Sequence, residues 1–142
     1  MNLEISHLTF IVKDLAKASL FFEKIFDAKE VYSSGEETFS IAKEKFYLIS
    51  NKLWVCIMEG EASLEKTYNH IAFQIQEEEI ETYMKRINEI GAEIKLGRER
   101  IQGEGYSIYF YDFDKHLFEL HTGTLEKRLD SYKKNKITEK LS

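Results

Sequence analysis

The chain's 142 residues predict an α+β fold built from two pseudo-symmetric βαβββ modules. Three observations carry that expectation. "HLTFIV" (7–12) and "HIAFQI" (70–75) are short β-rich runs that each open on histidine, and each leads into an amphipathic helical stretch. The 63 positions separating His7 from His70 also separate Cys56 in "LWVCI" from Glu119 in "HLFEL". A chain of this length closes one domain over 1–142, with module 1 at about 1–62, module 2 at about 66–122, and a C-terminal helix and tail over 123–142.

In the first helix Leu15, Ala18, Phe21, Phe22, Ile25 and Phe26 share one face, and Asp14 is placed to cap it. In the second, Ile80, Tyr83, Met84, Ile87 and Ile90 form the apolar face, Glu77 to Glu79 complement the helix dipole, and Gly91 ends the pattern. After the first helix the runs "EVYSS", "TFSIA", "FYLIS" and "LWVCIME" read as strands. "AEIKL", "YSIYFYDF" and "HLFELHT" do the same after the second. There is no proline, so the turns rest on Gly, Ser, Asn and Asp alone. Past Gly123, Thr124 is a cap candidate for a third helix with Leu125 and Leu129 inward, followed by the polar tail "KKNKITEKLS", expected to fray.

Composition narrows the function classes. A net charge of −5 is the wrong sign for a nucleic-acid binder, and no apolar run reaches the ~18 residues of a membrane span. One cysteine excludes an internal disulfide, and the start lacks the pattern of a secretory leader, so a cytoplasmic location is the expectation.

His7 and His70 hold the same place in both modules, which would bring two imidazoles toward one point, and a carboxylate is the natural third donor for a first-row divalent metal. Strand alternation puts Leu117, Glu119 and His121 on one face, so spacing alone leaves Glu119 and His121 both open as the third ligand. His116, in "DFDKH", reads as a turn residue. Within "SIAKEKFYLI" (40–49), Glu44 lies between Lys43 and Lys45, and local pattern alone makes that cluster a solvated strand face.

Taken together, "HLTFIVKDL", "LWVCIME", "YNHIAFQI", "GRER" and "SIYFYDFDKHLFELHTGTLEKRL" resemble the vicinal oxygen chelate (glyoxalase/bleomycin-resistance/dioxygenase) superfamily, and within it the hydrolase type of fosfomycin resistance protein. The resemblance covers the chain to about Tyr132. It implies a module-swapped homodimer and a divalent metal, Mn2+ in the first place, held by His7 of one subunit with His70 and Glu119 of the other. It also implies water addition to the oxirane of fosfomycin, giving a diol and antibiotic resistance.

By the same resemblance Glu44 is the base that activates water, while Thr9, Trp54, Arg98, Tyr109 and Arg128 contact the phosphonate substrate. Glu44 and Phe46 then share a face, with both lysines pointing away. Three rivals are a Mn-dependent thiol transferase acting on the same antibiotic, a non-catalytic drug-binding module, and a two-histidine, one-carboxylate iron oxygenase on this fold, which the phosphonate-binding arginines disfavour. "QGEGYS" (102–107) lacks the serine of the transferases' cation loop, so no potassium requirement is expected; its glycines fit either a flap or a plain turn. Cys56, the counterpart of Glu119, is expected to be buried and inert.

Overall fold

The computed structural model describes residues 1–62, 65–97 and 100–141, the last four by backbone alone. Arg98 of the expected substrate set therefore lies outside the described residues.

The first module runs β1 (His7–Val12), α1 (Leu15–Phe26), β2 (Lys29–Ser33), β3 (Glu44–Leu48) and β4 (Trp54–Glu59). The second runs β5 (His70–Gln74), a 3-10 turn at Glu77–Glu79, α2 (Ile80–Ile90), β6 (Ile94–Lys95), β7 (Ser107–Tyr111) and β8 (Leu117–His121), and α3 (Leu125–Leu141) follows. Each module forms a four-stranded mixed sheet, ordered β1-β4-β3-β2 in one and β5-β8-β7-β6 in the other. The outer strand pairs parallel to the last strand of its module, and the rest are antiparallel.

The duplication extends to the register. Glu44 faces Met58 across β3 and β4, and Ser107 faces His121 across β7 and β8, all 63 positions on. The repeat therefore fixes which residues of one module stand where the other keeps its chemistry.

One face of each sheet is covered by helix. Asp14 caps α1 by accepting the Lys17 amide at 3.1 Å, and the helix presents Phe21, Phe22, Ile25 and Phe26 to the core. Val55 and Ile57 of β4, Phe110 of β7 and Phe118 and Leu120 of β8 pack into the same cluster, with Tyr83, Met84 and Ile90 of α2 against it. Phe118 is fully buried at its centre, with ring centroids of Phe10 and Phe21 at 5.3 Å each and that of Phe110 at 5.8 Å. The two modules thus share one aromatic core, which leaves the opposite face of each sheet open.

Four local expectations change. "TFSIA" is not a strand: Phe39 and Ile41 are exposed, and β3 pairing starts only where the Glu59 amide donates to the Lys43 carbonyl. The alternation was there, but among the described residues no strand pairs with it. "AEIKL" shrinks to a two-residue ladder at Ile94 and Lys95. Leu125 and Leu129 of α3 face outward in the single chain, although Thr124 does cap the helix through the Lys127 amide at 3.2 Å. The tail is helical to Leu141, in keeping with its Lys and Glu content and with the Asn135 amide donating to the Ser131 carbonyl at 2.8 Å.

Phe118→Ala is expected to cost about 3–5 kcal/mol, because it removes the ring that joins both modules. A fall of that size in the denaturation midpoint, at unchanged denaturant slope, is the check.

Candidate functional site

The open face of the first sheet carries four of the expected residues. In β1, Leu8, Phe10 and Val12 turn to the core, which sends His7 and Thr9 to the other side. The His7 ring is exposed and stacks on Trp54 at 4.1 Å between centroids, and Phe46 lies 4.8 Å from Trp54. Glu44 shares the face and is only 7% exposed, whereas Lys43 and Lys45 pair with Glu36 and Glu30. The charge cluster of the sequence thus separates into one buried carboxylate and two wet ion pairs.

Cys56 lies buried on this face, between Trp54 and Met58. Its thiol donates to Glu44 Oε2 at 3.4 Å, and burial, followed by the Glu44 contact, pushes its pKa up to about 12 despite the opposing Thr9 hydrogen bond. A thiol held protonated in this way is neither a nucleophile nor a ligand at neutral pH.

The open face of the second sheet gathers His70, Tyr109, Glu119 and His121. His70 Nε2 lies 2.9 Å from Glu119 Oε1, and His70 Nδ1 lies 2.6 Å from the Tyr68 carbonyl oxygen. A carbonyl only accepts, so Nδ1 carries the proton. In the neutral ring Nε2 then presents a lone pair to a carboxylate oxygen. A contact this short needs a positive charge, as a proton on Nε2 or as a metal ion held by both atoms.

The spacing suits a metal. Two donors at right angles on an ion with ~2.1 Å bonds stand about 3 Å apart, and an imidazole whose far nitrogen donates to a carbonyl is the usual oriented ligand. Among the described residues no group of three His, Cys, Asp or Glu gathers within the chain. His7 lies on the other sheet, so one chain supplies two of the three expected donors here and the third elsewhere.

Other side chains complete the second site. Arg100 reaches Tyr109 Oη at 2.7 Å, Ser107 Oγ at 2.7 Å, Glu119 Oε2 at 3.3 Å and Glu104 Oε1 at 3.1 Å. Burial alone would raise the Glu119 pKa, but hydrogen bonds from Ser107 and Tyr109 and the charge of Arg100 outweigh it and hold Glu119 below the usual carboxylate range. Burial pushes the Tyr109 hydroxyl up, which keeps it a neutral donor. Arg128 lies on the rim, with Nη2 3.3 Å from His121 Nε2 and Nε 3.7 Å from the fully buried Glu104.

Sequence reasoning missed Arg100, Glu104 and Ser107. Ser107 was within reach of strand parity, since it shares a face with Tyr109 and opposes His121. His116 is a turn residue as expected, bonded to Asp112 at 2.7 Å. The 102–107 stretch forms a tight turn: Gly103 and Gly105 take φ of 86° and 95°, and a Cβ on Gly105 would come within 2.9 Å of the Gly123 nitrogen.

Two βαβββ units, each with one face sealed by helix and the other open and bearing histidine and carboxylate, define a duplicated α+β fold with candidate metal donors on its open faces. Comparison with known proteins agrees. Residues 4–120 match the family model described as the Glyoxalase/Bleomycin resistance protein/Dioxygenase superfamily. Fosfomycin resistance protein FosX of Listeria innocua is 63% identical over 130 residues, 92% of this chain and 97% of the relative. The metallothiol transferase FosB of Bacillus licheniformis is 37% identical over 138 residues, 94% of this chain and 84% of the relative. Among solved structures, a variant of FosX from Listeria monocytogenes complexed with Mn(II) and 1S,2S-dihydroxypropylphosphonic acid matches with a TM-score of 0.83 at 59% identity, over 93% of this chain and 99% of that one. The chain belongs to this superfamily and, within it, to the fosfomycin resistance proteins.

Cys56 should resist thiol reagents in the native protein and react fully in denaturant. Stoichiometric labelling within minutes under native conditions would contradict its burial and raised pKa.

Proposed function

We propose that the protein is a Mn(II)-dependent epoxide hydrolase that adds water to the oxirane of fosfomycin, giving a vicinal diol phosphonate and resistance to the antibiotic. The observation that carries the reading is the His70–Glu119 pair, whose 2.9 Å spacing and carbonyl-oriented imidazole suit two ligands of one metal ion. We further propose that a homodimer brings His7 of one protomer to His70 and Glu119 of its partner, so the two open faces close over a single site. The relatives named FosX, and the diol phosphonate bound with Mn(II) in one of them, support this reaction over thiol transfer. A single buried, unpaired cysteine is in keeping with a cytoplasmic setting.

Each residue then has a task. His7, His70 and Glu119 hold the ion, which supplies Lewis-acid stabilisation of the oxygen that leaves carbon as the ring opens. Glu44, on the same strand face as Thr9 and the ring pair His7–Trp54, takes the proton from the attacking water. Its surroundings are dry, since Cys56, Phe46 and Met58 lie beside it, so the carboxylate is withheld from bulk solvent.

Arg128 and Arg98 grip the phosphonate, for which the planar guanidinium fork suits the tetrahedral oxygens. Tyr109, oriented by Arg100 and Tyr68, offers its hydroxyl to the substrate, and Trp54 with Thr9 walls the apolar side.

Mn(II)-loaded protein should form diol from fosfomycin in thiol-free buffer, lose that activity on chelation and regain it on Mn(II) addition. Glu44→Gly should lower diol formation by about 10²–10⁴-fold while Mn(II) affinity is unchanged. Retained hydration in this variant, or product formation only when a thiol is supplied, would overturn the assignment.

A further inference from the structure

His121 is not among the metal donors or substrate contacts assigned above, yet it stands between them. Its Nδ1 lies 2.7 Å from Ser107 Oγ and its Nε2 3.3 Å from Arg128 Nη2. Ser107 Oγ lies 2.5 Å from Glu119 Oε2 and 2.7 Å from Arg100 Nη2. Hydrogen-bond valence gives these contacts a direction. The 2.5 Å contact to the carboxylate oxygen Oε2 takes the one proton of the Ser107 hydroxyl. Arg100 has only protons to give, so it donates to Oγ. The remaining contact is satisfied when His121 donates from Nδ1, which leaves Nε2 as acceptor for Arg128.

The chain runs one way: Arg128 to His121, His121 to Ser107, Ser107 to Glu119. It requires a ring protonated at Nδ1 with a free lone pair on Nε2, which is what an arginine nitrogen, able only to donate, calls for at 3.3 Å.

The ring has little freedom to leave this position. A Cβ on Gly123 would come within 2.6 Å of His121 Nε2, so the glycine keeps a slot open for the imidazole. Arg128 is steadied from its other side by Glu104, which Arg100 and Tyr132 also hold, at 3.1 Å and 2.8 Å.

We propose that His121 is a positioning residue that ties the phosphonate-binding Arg128 to the metal ligand Glu119, so that anion and metal strengthen each other's binding. The inference rests on the metal and phosphonate roles given above. With His121 in place, Oε2 of Glu119 is occupied by Ser107 and Arg100, and Oε1 alone is directed beside His70 Nε2. An anion that fixes Arg128 fixes the orientation of the whole chain, and linkage makes the effect reciprocal.

Mn(II) dissociation constants of the full-length protein, with and without methylphosphonate, provide the test and need no turnover. His121→Asn places an amide at the position of Nδ1 and keeps the donor to Ser107, but has no atom at Nε2. His121→Gln reaches the position of Nε2 and loses the donor. The asparagine variant should bind Mn(II) alone near the wild-type value and lose most of the tightening by methylphosphonate. The glutamine variant should bind Mn(II) alone about 10-fold more weakly.

Wild-type affinity with full anion enhancement in both variants would overturn the proposal. So would equal losses in both that follow their thermal midpoints, since that is the signature of packing alone. Failure of the unmodified protein to bind Mn(II) would instead overturn the proposed function, and this inference with it.

Discussion

The contact between His70 Nε2 and Glu119 Oε1 is the constraint on which the rest depends. With Nδ1 donating to the Tyr68 carbonyl, Nε2 and the carboxylate oxygen meet at 2.9 Å, a contact that holds only with a positive charge on it, as a proton on Nε2 or as a metal ion held by both atoms. The Arg100 guanidinium already stands 3.3 Å from Oε2, and a metal ion on Oε1 and Nε2 would complete the charge balance of this largely buried carboxylate. Ser107, Tyr109 and Arg100 hold Glu119 ionised and aimed, so the protein maintains the acceptor geometry instead of relaxing it.

The duplicated fold explains how such a site arises and why its halves differ. Both modules bury one sheet face against a common aromatic core and leave the other free, and the constant 63-residue register gives the two sheets matching positions. At equivalent positions the chemistry is unequal. Histidine begins β1 and β5 alike, but Cys56 stands where the second module has Glu119, and Glu44 where it has Ser107. One face therefore supplies a carboxylate in dry surroundings and one imidazole, and the other supplies two donors and an arginine-rich rim. Each half carries only part of the proposed donor set, so in the proposed dimer assembly and activity are one event.

Much of this was legible in the sequence. The helices showed because their apolar residues recur at helical spacing, and the modules because His7 and His70 lead matching runs. Parity put Glu119 and His121 on one face, and resemblance chose between them. What stayed hidden depends on partners distant in the chain. "TFSIA" has the alternation of a strand without a neighbour to pair with, and Leu125 and Leu129 have the spacing of a buried stripe yet face outward. Arg100 sits in "GRER" beside Arg98, and nothing linear distinguishes them; only the fold shows Arg100 reaching both Glu104 and Glu119. The buried Glu104 was invisible for the same reason, since a glutamate between two glycines reads as an exposed turn.

The central claim is that one protomer's His7 completes the donor set of its partner, and subunit complementation tests it most directly. His7→Ala and Glu119→Gln each remove one donor, and each homodimer should be inactive. Mixed and reassembled, they form heterodimers in which the intact His7 of one chain meets the intact His70 and Glu119 of the other. The account predicts that the mixture regains Mn(II)-dependent diol formation. A mixture as inactive as its parents, with heterodimers demonstrably present, would contradict it.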